Sequence, residues 1–133
     1  MVTITKAAIA RGRRFEPKWV QWLRTVGRTA EKVPKAGMKD ESDTVSPFQG
    51  GFYIMENKSP GGLSNVDLLT YFKQAEVQAG QWAERRGIDS ASVIPVVVIE
   101  DHKSRKGPAN AIVCIRAGQA FGADPSSPGA LRR

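Results

Sequence analysis

The strongest constraint on the fold is a continuous apolar run, Val93–Ile99, in which every residue except Pro95 is valine or isoleucine. Valine and isoleucine favour strands, and a strand without polar alternation is typical of one buried on both faces. The run is far too short to cross a lipid bilayer. It therefore predicts a central strand of a covered sheet.

Two helices are predicted from apolar residues that recur with helical spacing. The first begins near Phe15, with Pro17 acceptable only in its first turn, and Gly27 is a plausible stop. The second covers about residues 65–86 and ends before Gly87. The predicted buried positions are Phe15, Trp19, Trp22, Leu23 and Val26 in the first helix, and Leu68, Phe72, Ala75, Ala79 and Trp82 in the second.

Short strands are predicted around these helices. Residues 29–33 form a possible strand, residues 44–45 and 52–57 are predicted to pair as a β-hairpin, and residues 111–116 form a last strand. The second helix would be the crossover between the hairpin and Val93–Ile99. This order predicts an α/β domain with a mixed sheet.

The length and composition are those of one water-soluble domain. We expect a flexible basic arm over residues 1–12, the folded domain over 13–122 and a disordered tail, rich in Pro, Ser and Gly, over 123–133. The start of the chain has no signal-peptide pattern, and the single cysteine, Cys114, excludes an internal disulfide. We therefore expect a cytoplasmic protein without a membrane partner.

Positive charge is concentrated at the beginning of the chain. The net charge is +7, and residues 1–39 alone carry +8, whereas the remainder carries −1. A basic segment of this kind suits a polyanion such as nucleic acid, although a highly soluble surface would have the same charge.

One group of residues carries the chemistry. On a strand over residues 52–58, Glu56 and Lys58 point to the same face. If Ser46 pairs with Gly51 around a four-residue loop, Asp43 lies opposite Ile54 on that face, diagonal to Glu56. Two carboxylates at this spacing can share Mg²⁺. A loop of odd length would turn Asp43 to the other face.

Other interpretations of these acids remain open. Glu56 and Lys58 could be a surface ion pair at the end of a strand. Asp40 and Glu41 are rivals of Asp43 for the role of metal-binding acid, and we favour Asp43.

An upstream Asp, a hairpin that ends in Glu-x-Lys, and a following helix resemble the PD-(D/E)xK nuclease superfamily. Within it, the chain is most similar to small Holliday junction resolvases of archaea and phages. The resemblance spans about residues 11–121, and it rests on the order and spacing of several stretches: residues 12–16, 42–45, 52–58, 69–75 and 94–98.

The resemblance implies a restriction-endonuclease-like mixed sheet and a role for each site residue. Asp43 and Glu56 would ligate Mg²⁺, for which Mn²⁺ can substitute, and the Asn57 carbonyl would add a ligand. Lys58 would orient the attacking water and stabilise developing negative charge. Glu16 would be an accessory acid and Gln74 would support Lys58, but Glu16 also suits a helix N-terminus, and Gln74 also suits a solvated helix surface.

The implied substrate is DNA, cut by phosphodiester hydrolysis and branched in the case of a resolvase, which would act as a homodimer. A basic cluster would hold the DNA backbone if Glu16 lies at the site: Arg11, Arg13, Arg14 and Lys18. The alternatives are another DNA nuclease of the same fold, for nicking or restriction-like cleavage, and a non-catalytic basic DNA-binding protein.

Overall fold

The computed structural model describes residues 6–33, 43–60, 65–101, 103 and 106–122, and of residues 6–13, 65 and 66 it describes the backbone alone. The proposed tail, residues 123–133, and the rival acids Asp40 and Glu41 lie outside this range. Within the described residues, no helix is both long enough and apolar enough to span a membrane.

The chain forms one mixed sheet flanked by helices, which confirms the predicted α/β class. The elements in chain order are α1 (Lys6–Thr25), β1 (Glu31–Lys32), β2 (Thr44–Phe48), β3 (Gly51–Lys58), α2 (Asn65–Arg85), β4 (Val93–Ile99), β5 (Ile112–Cys114) and α3 (Ala117–Phe121). The five strands lie in the order β1-β2-β3-β4-β5. β3 and β4 are parallel, with α2 between them in the chain, and the other neighbours are antiparallel.

Strand β4 is an interior strand that is buried on both faces, as its sequence predicts. Ile94, Val96 and Val98 pack in the cluster on the α1 side, and Val97 and Ile99 pack in a cluster with residues of α2. Full burial of a valine or isoleucine side chain contributes roughly 1.5–3 kcal/mol to the free energy of folding. The two apolar faces of β4 therefore anchor the two helices to opposite sides of the sheet.

Helix α1 begins earlier than predicted. It starts at Lys6, so residues 6–12, predicted as part of a flexible arm, have helical backbone, and Pro17 lies in the helix interior rather than in its first turn. An interior proline removes a backbone hydrogen bond and costs about 3 kcal/mol. Phe15 and Trp19, both buried on either side of Pro17, offset this cost through their apolar burial. The predicted buried position Val26 is exposed, because the helix ends at Thr25.

Helix α2 matches its predicted bounds to within one residue. Phe72, Ala75, Ala79 and Trp82 are buried as predicted, and Leu68 packs against the core while half-buried. The same stripe includes Tyr71, which is buried one helical turn after Leu68 and is not among the predicted positions.

The hairpin turn is shorter than predicted. Phe48 pairs with Gly51, so the loop consists of Gln49 and Gly50 and not of four residues. Gly50 has a φ of 100°, a conformation that glycine adopts at little cost. The predicted pairing of Ser46 with Gly51 is therefore wrong, and Ser46 pairs with Tyr53.

We expect Gly51→Ala to destabilise the fold. A Cβ at residue 51 would lie 2.2 Å from the backbone oxygen of Ser92 and 3.0 Å from the Phe48 ring. Relief of this overlap requires movement of backbone, which costs about 1–3 kcal/mol.

Gly80→Ala is the matched control. Gly80 lies inside α2, and an added Cβ meets no atom within 4 Å. Alanine is a better helix former than glycine, so this variant should gain up to about 1 kcal/mol. Urea denaturation of both variants checks the pair, and equal stability of the two would contradict the close approach of β3 to Ser92.

Candidate active site

The sheet places Asp43 opposite Glu56. Thr44 pairs with Met55, so the preceding residue, Asp43, lies across from Glu56 and not from Ile54. The backbone N–H of Asp43 donates to the Met55 carbonyl at 3.1 Å, and its carbonyl accepts from the N–H of Val33 at 2.9 Å. The register differs from the predicted one by an even number of residues, so Asp43 and Glu56 still share a face.

A direct hydrogen bond ties Asp43 to the end of β3. The backbone N–H of Asn57 donates to Asp43 Oδ2 at 2.8 Å, and both residues are buried. The Asn57 amide Nδ2 donates to Thr44 Oγ1 at 3.2 Å. The Asp43 carboxylate is thereby held against the strand that carries Glu56.

Glu56 and Lys58 form an ion pair on the same face. Lys58 Nζ lies 3.7 Å from Glu56 Oε1, and the two side chains are largely shielded from water, with 18% and 10% of their surface exposed for Lys58 and Glu56 respectively. In the parallel ladder, Glu56 lies beside Val97 and Lys58 beside Ile99, both in the cluster under α2. The interpretation as a solvated surface pair is wrong.

A tyrosine of α2 covers the lysine. Lys58 Nζ lies 4.9 Å from the centre of the Tyr71 ring, within the range of a cation–π interaction. Burial, and secondarily the negative charge of Asp67 one turn earlier, raise the pKa of Tyr71 above its ordinary value. Its ring is therefore neutral at physiological pH. Gln74, the helix residue predicted to support Lys58, is exposed, and its role stays a prediction.

Glu16 lies on the other side of the sheet. It is well inside α1, which has no acidic residue in its first turn, so the alternative interpretation as an N-terminal carboxylate is wrong. Glu16 Oε2 lies 3.7 Å from Lys32 Nζ, and Lys32 pairs with Thr44. Thr44 also pairs with Met55, which packs in the α1 cluster. Glu16 is thus near the strand end that carries Asp43, on the α1 side, and its accessory role stays a prediction.

The predicted DNA-binding residues are all on α1. Arg14 and Lys18 are exposed, one turn apart. Arg11 and Arg13 belong to the helix, and their side chains are outside what the structure describes. Helical spacing puts Arg14 and Lys18 on one face, where they could contact a phosphate backbone without reading bases.

Asp43 and Glu56 are too few to enclose a metal ion with protein ligands alone, but they are sufficient for the type of site that binds Mg²⁺. Among the residues that the structure describes, no group of three or more His, Cys, Asp or Glu side chains could hold a metal. Asp43 and Glu56 supply two carboxylates, and Mg²⁺ is usually bound by one or two carboxylates together with water and phosphate oxygens. The chemistry of these two side chains is thus compatible with Mg²⁺ bound together with water.

Comparison with known proteins gives similarity to solved structures alone. No protein-family model and no curated protein matches the chain. Among solved structures, the chain is similar to Hjc of Archaeoglobus fulgidus, a Holliday junction resolvase from an archaeal hyperthermophile, at 18% sequence identity and a TM-score of 0.48, over 78% of this chain and 76% of that chain. The similarity concerns the path of the backbone, and the chemistry of the site follows from its own side chains.

Proposed function

We propose that this protein is a Mg²⁺-dependent DNA endonuclease that hydrolyses phosphodiester bonds. One observation carries the proposal: the ends of β2 and β3 hold two buried carboxylates and a lysine on one face of the sheet, namely Asp43, Glu56 and Lys58. Burial of charged groups is costly, and it is characteristic of sites in which their chemistry is used.

The carboxylates of Asp43 and Glu56, with the backbone carbonyl of Asn57, would hold the metal ion. When bound, Mg²⁺ would polarise the phosphate and lower the pKa of a water molecule. The same oxygen atoms would also bind Mn²⁺. Asp43 is already oriented by the Asn57 N–H, so its carboxylate needs little rearrangement to bind a cation.

Lys58 would act on the water and on the developing charge. Its ammonium group lies beside Glu56 and is mostly shielded from solvent, where a charge acts more strongly than in water. An ammonium at this place can donate a hydrogen bond to the attacking water and stabilise the negative charge that grows on the phosphate in the transition state.

The charge distribution supports a nucleic-acid substrate. The strongly basic first segment includes α1, whose exposed Arg14 and Lys18 can contact phosphates. We further propose that the substrate is branched DNA, with a four-way junction as the specific case and a homodimer as the active form. Two symmetric cuts in such a junction require two sites related by a two-fold axis.

Incubation with DNA and Mg²⁺ tests this function. A labelled four-way junction and a linear duplex of matching sequence would be incubated with the purified protein, with and without EDTA. We expect paired symmetric cuts in the junction alone, lost in EDTA. Cleavage of both DNAs would support the proposed nuclease activity but refute selectivity for the junction. Binding without any cutting would refute the nuclease and favour a non-catalytic DNA-binding protein.

A further inference from the structure

The Lys58 ammonium contacts two groups of different kinds. Its nitrogen lies 3.7 Å from a carboxylate oxygen of Glu56 and 4.9 Å from the centre of the Tyr71 ring, over the ring face. A carboxylate that binds a metal ion gives up much of its attraction for a neighbouring ammonium. The aromatic face keeps its attraction, because the negative face of its quadrupole does not depend on the metal.

Tyr71 itself is firmly placed. It is buried in the cluster that joins α2 to β4, together with Phe72, Ala75, Val97 and Ile99. The backbone of Lys58 is fixed as well, since its carbonyl accepts from the N–H of Glu100 at 2.8 Å. A rigid ring and a rigid strand leave the lysine side chain as the adjustable part of the contact.

From this geometry we propose that Tyr71 is a positioning residue that holds the Lys58 ammonium at the site through its ring face. The proposal rests on the proposed nuclease function for its effect on catalysis, whereas the contact itself does not depend on that function. The hydroxyl group of Tyr71 is not required by this role. The proposed role therefore requires an aromatic ring at position 71. A general contribution to packing would be met by any apolar side chain of similar size.

Three replacements at position 71 distinguish the electrostatic effect of the ring face from the effect of side-chain volume. Tyr71→Phe keeps the ring and removes the hydroxyl group. Tyr71→Leu keeps apolar bulk and removes the ring. Incorporation of pentafluorophenylalanine at position 71 keeps an aromatic shape but reverses the charge of the ring face, so it serves even if the leucine variant does not fold.

Phe72→Leu is a matched control from the same helix. Phe72 is also buried under α2 and also has a cation on its ring, because the guanidinium carbon of Arg116 lies 5.2 Å from the ring centre. This variant removes a comparable aromatic side chain from the same cluster without touching Lys58. Any effect on Lys58 that it shares with Tyr71→Leu would be an effect of packing.

The first readout is proton NMR of the Lys58 ε-methylene group without metal or DNA. Protons above a ring face are shifted upfield by the ring current. We expect this shift in the wild type, in Tyr71→Phe and in Phe72→Leu, and its loss in Tyr71→Leu. An unchanged Lys58 resonance in folded Tyr71→Leu would overturn the proposal whether or not the protein is a nuclease.

The second readout is the division between kcat and KM for DNA cleavage. Loss of the ring face should lower kcat about tenfold in Tyr71→Leu and leave KM unchanged. The pentafluorophenylalanine variant should show the same loss, and Tyr71→Phe should retain wild-type kcat. Wild-type kcat in the fluorinated variant would overturn the proposal. An inactive wild-type protein that keeps the ring-current shift would instead refute the proposed function alone.

Discussion

Lys58→Ala is expected to lower kcat for DNA cleavage by about 10²–10³-fold, the range found when one charge-stabilising donor is removed from an active site. The structure gives the reason, since the ammonium is mostly shielded from solvent and lies beside one of the two carboxylates proposed to hold the metal ion. Single-turnover cleavage under saturating protein measures the effect on the chemical step.

The variant Lys73→Ala is the control for Lys58→Ala. Lys73 is exposed on α2, so its removal changes the net charge by the same amount without touching the site. We expect Lys73→Ala to cleave at the wild-type rate, and both variants to bind DNA with nearly unchanged affinity. Equal rates for Lys58→Ala and Lys73→Ala would refute the role of Lys58.

Asp43→Asn is expected to abolish stabilisation by Mg²⁺ together with cleavage. A ligand that binds the folded state alone raises the free energy of unfolding by about 2.7 kcal/mol at a concentration one hundred times its Kd. The wild-type Tm should therefore rise with Mg²⁺ concentration. The asparagine variant can still accept the hydrogen bond from the Asn57 N–H, but it lacks the negative charge that attracts the cation.

Asp89→Asn is the control for Asp43→Asn. The Asp89 carboxylate also accepts a hydrogen bond from a backbone N–H, that of Ala91 at 3.0 Å, but Asp89 is exposed and lies outside the site. Differential scanning fluorimetry over a Mg²⁺ series measures all three proteins. Asp89→Asn should gain as much stability from Mg²⁺ as the wild type. A full Mg²⁺ response in Asp43→Asn would exclude Asp43 from the metal site.

The interior of the fold could be predicted from sequence because burial leaves a periodic pattern. The apolar run of β4 and the stripe of α2 each identify an element and the faces it buries. The start of α1 could not be predicted, since Pro17 usually marks a first turn and only tertiary packing offsets its cost inside a helix.

The candidate site was predictable in part for a related reason. Alternation along β3 puts Glu56 and Lys58 on one face whatever the tertiary structure. The position of Asp43 depends on the hairpin loop. The loop has two residues where four are predicted, and because this difference is even, Asp43 stays on the face of Glu56. The contact of Tyr71 with Lys58 could not be predicted, because the two residues are distant in sequence and periodicity alone does not identify contacts between elements.

Crystals of the protein grown with Mn²⁺ would test the metal site most directly, through an anomalous difference map collected near the manganese absorption edge. We predict one strong peak between Asp43 and Glu56, about 2 Å from a carboxylate oxygen of each. Ordered density for both side chains with no peak between them, or with manganese bound only elsewhere, would contradict the assignment of these carboxylates as a metal site.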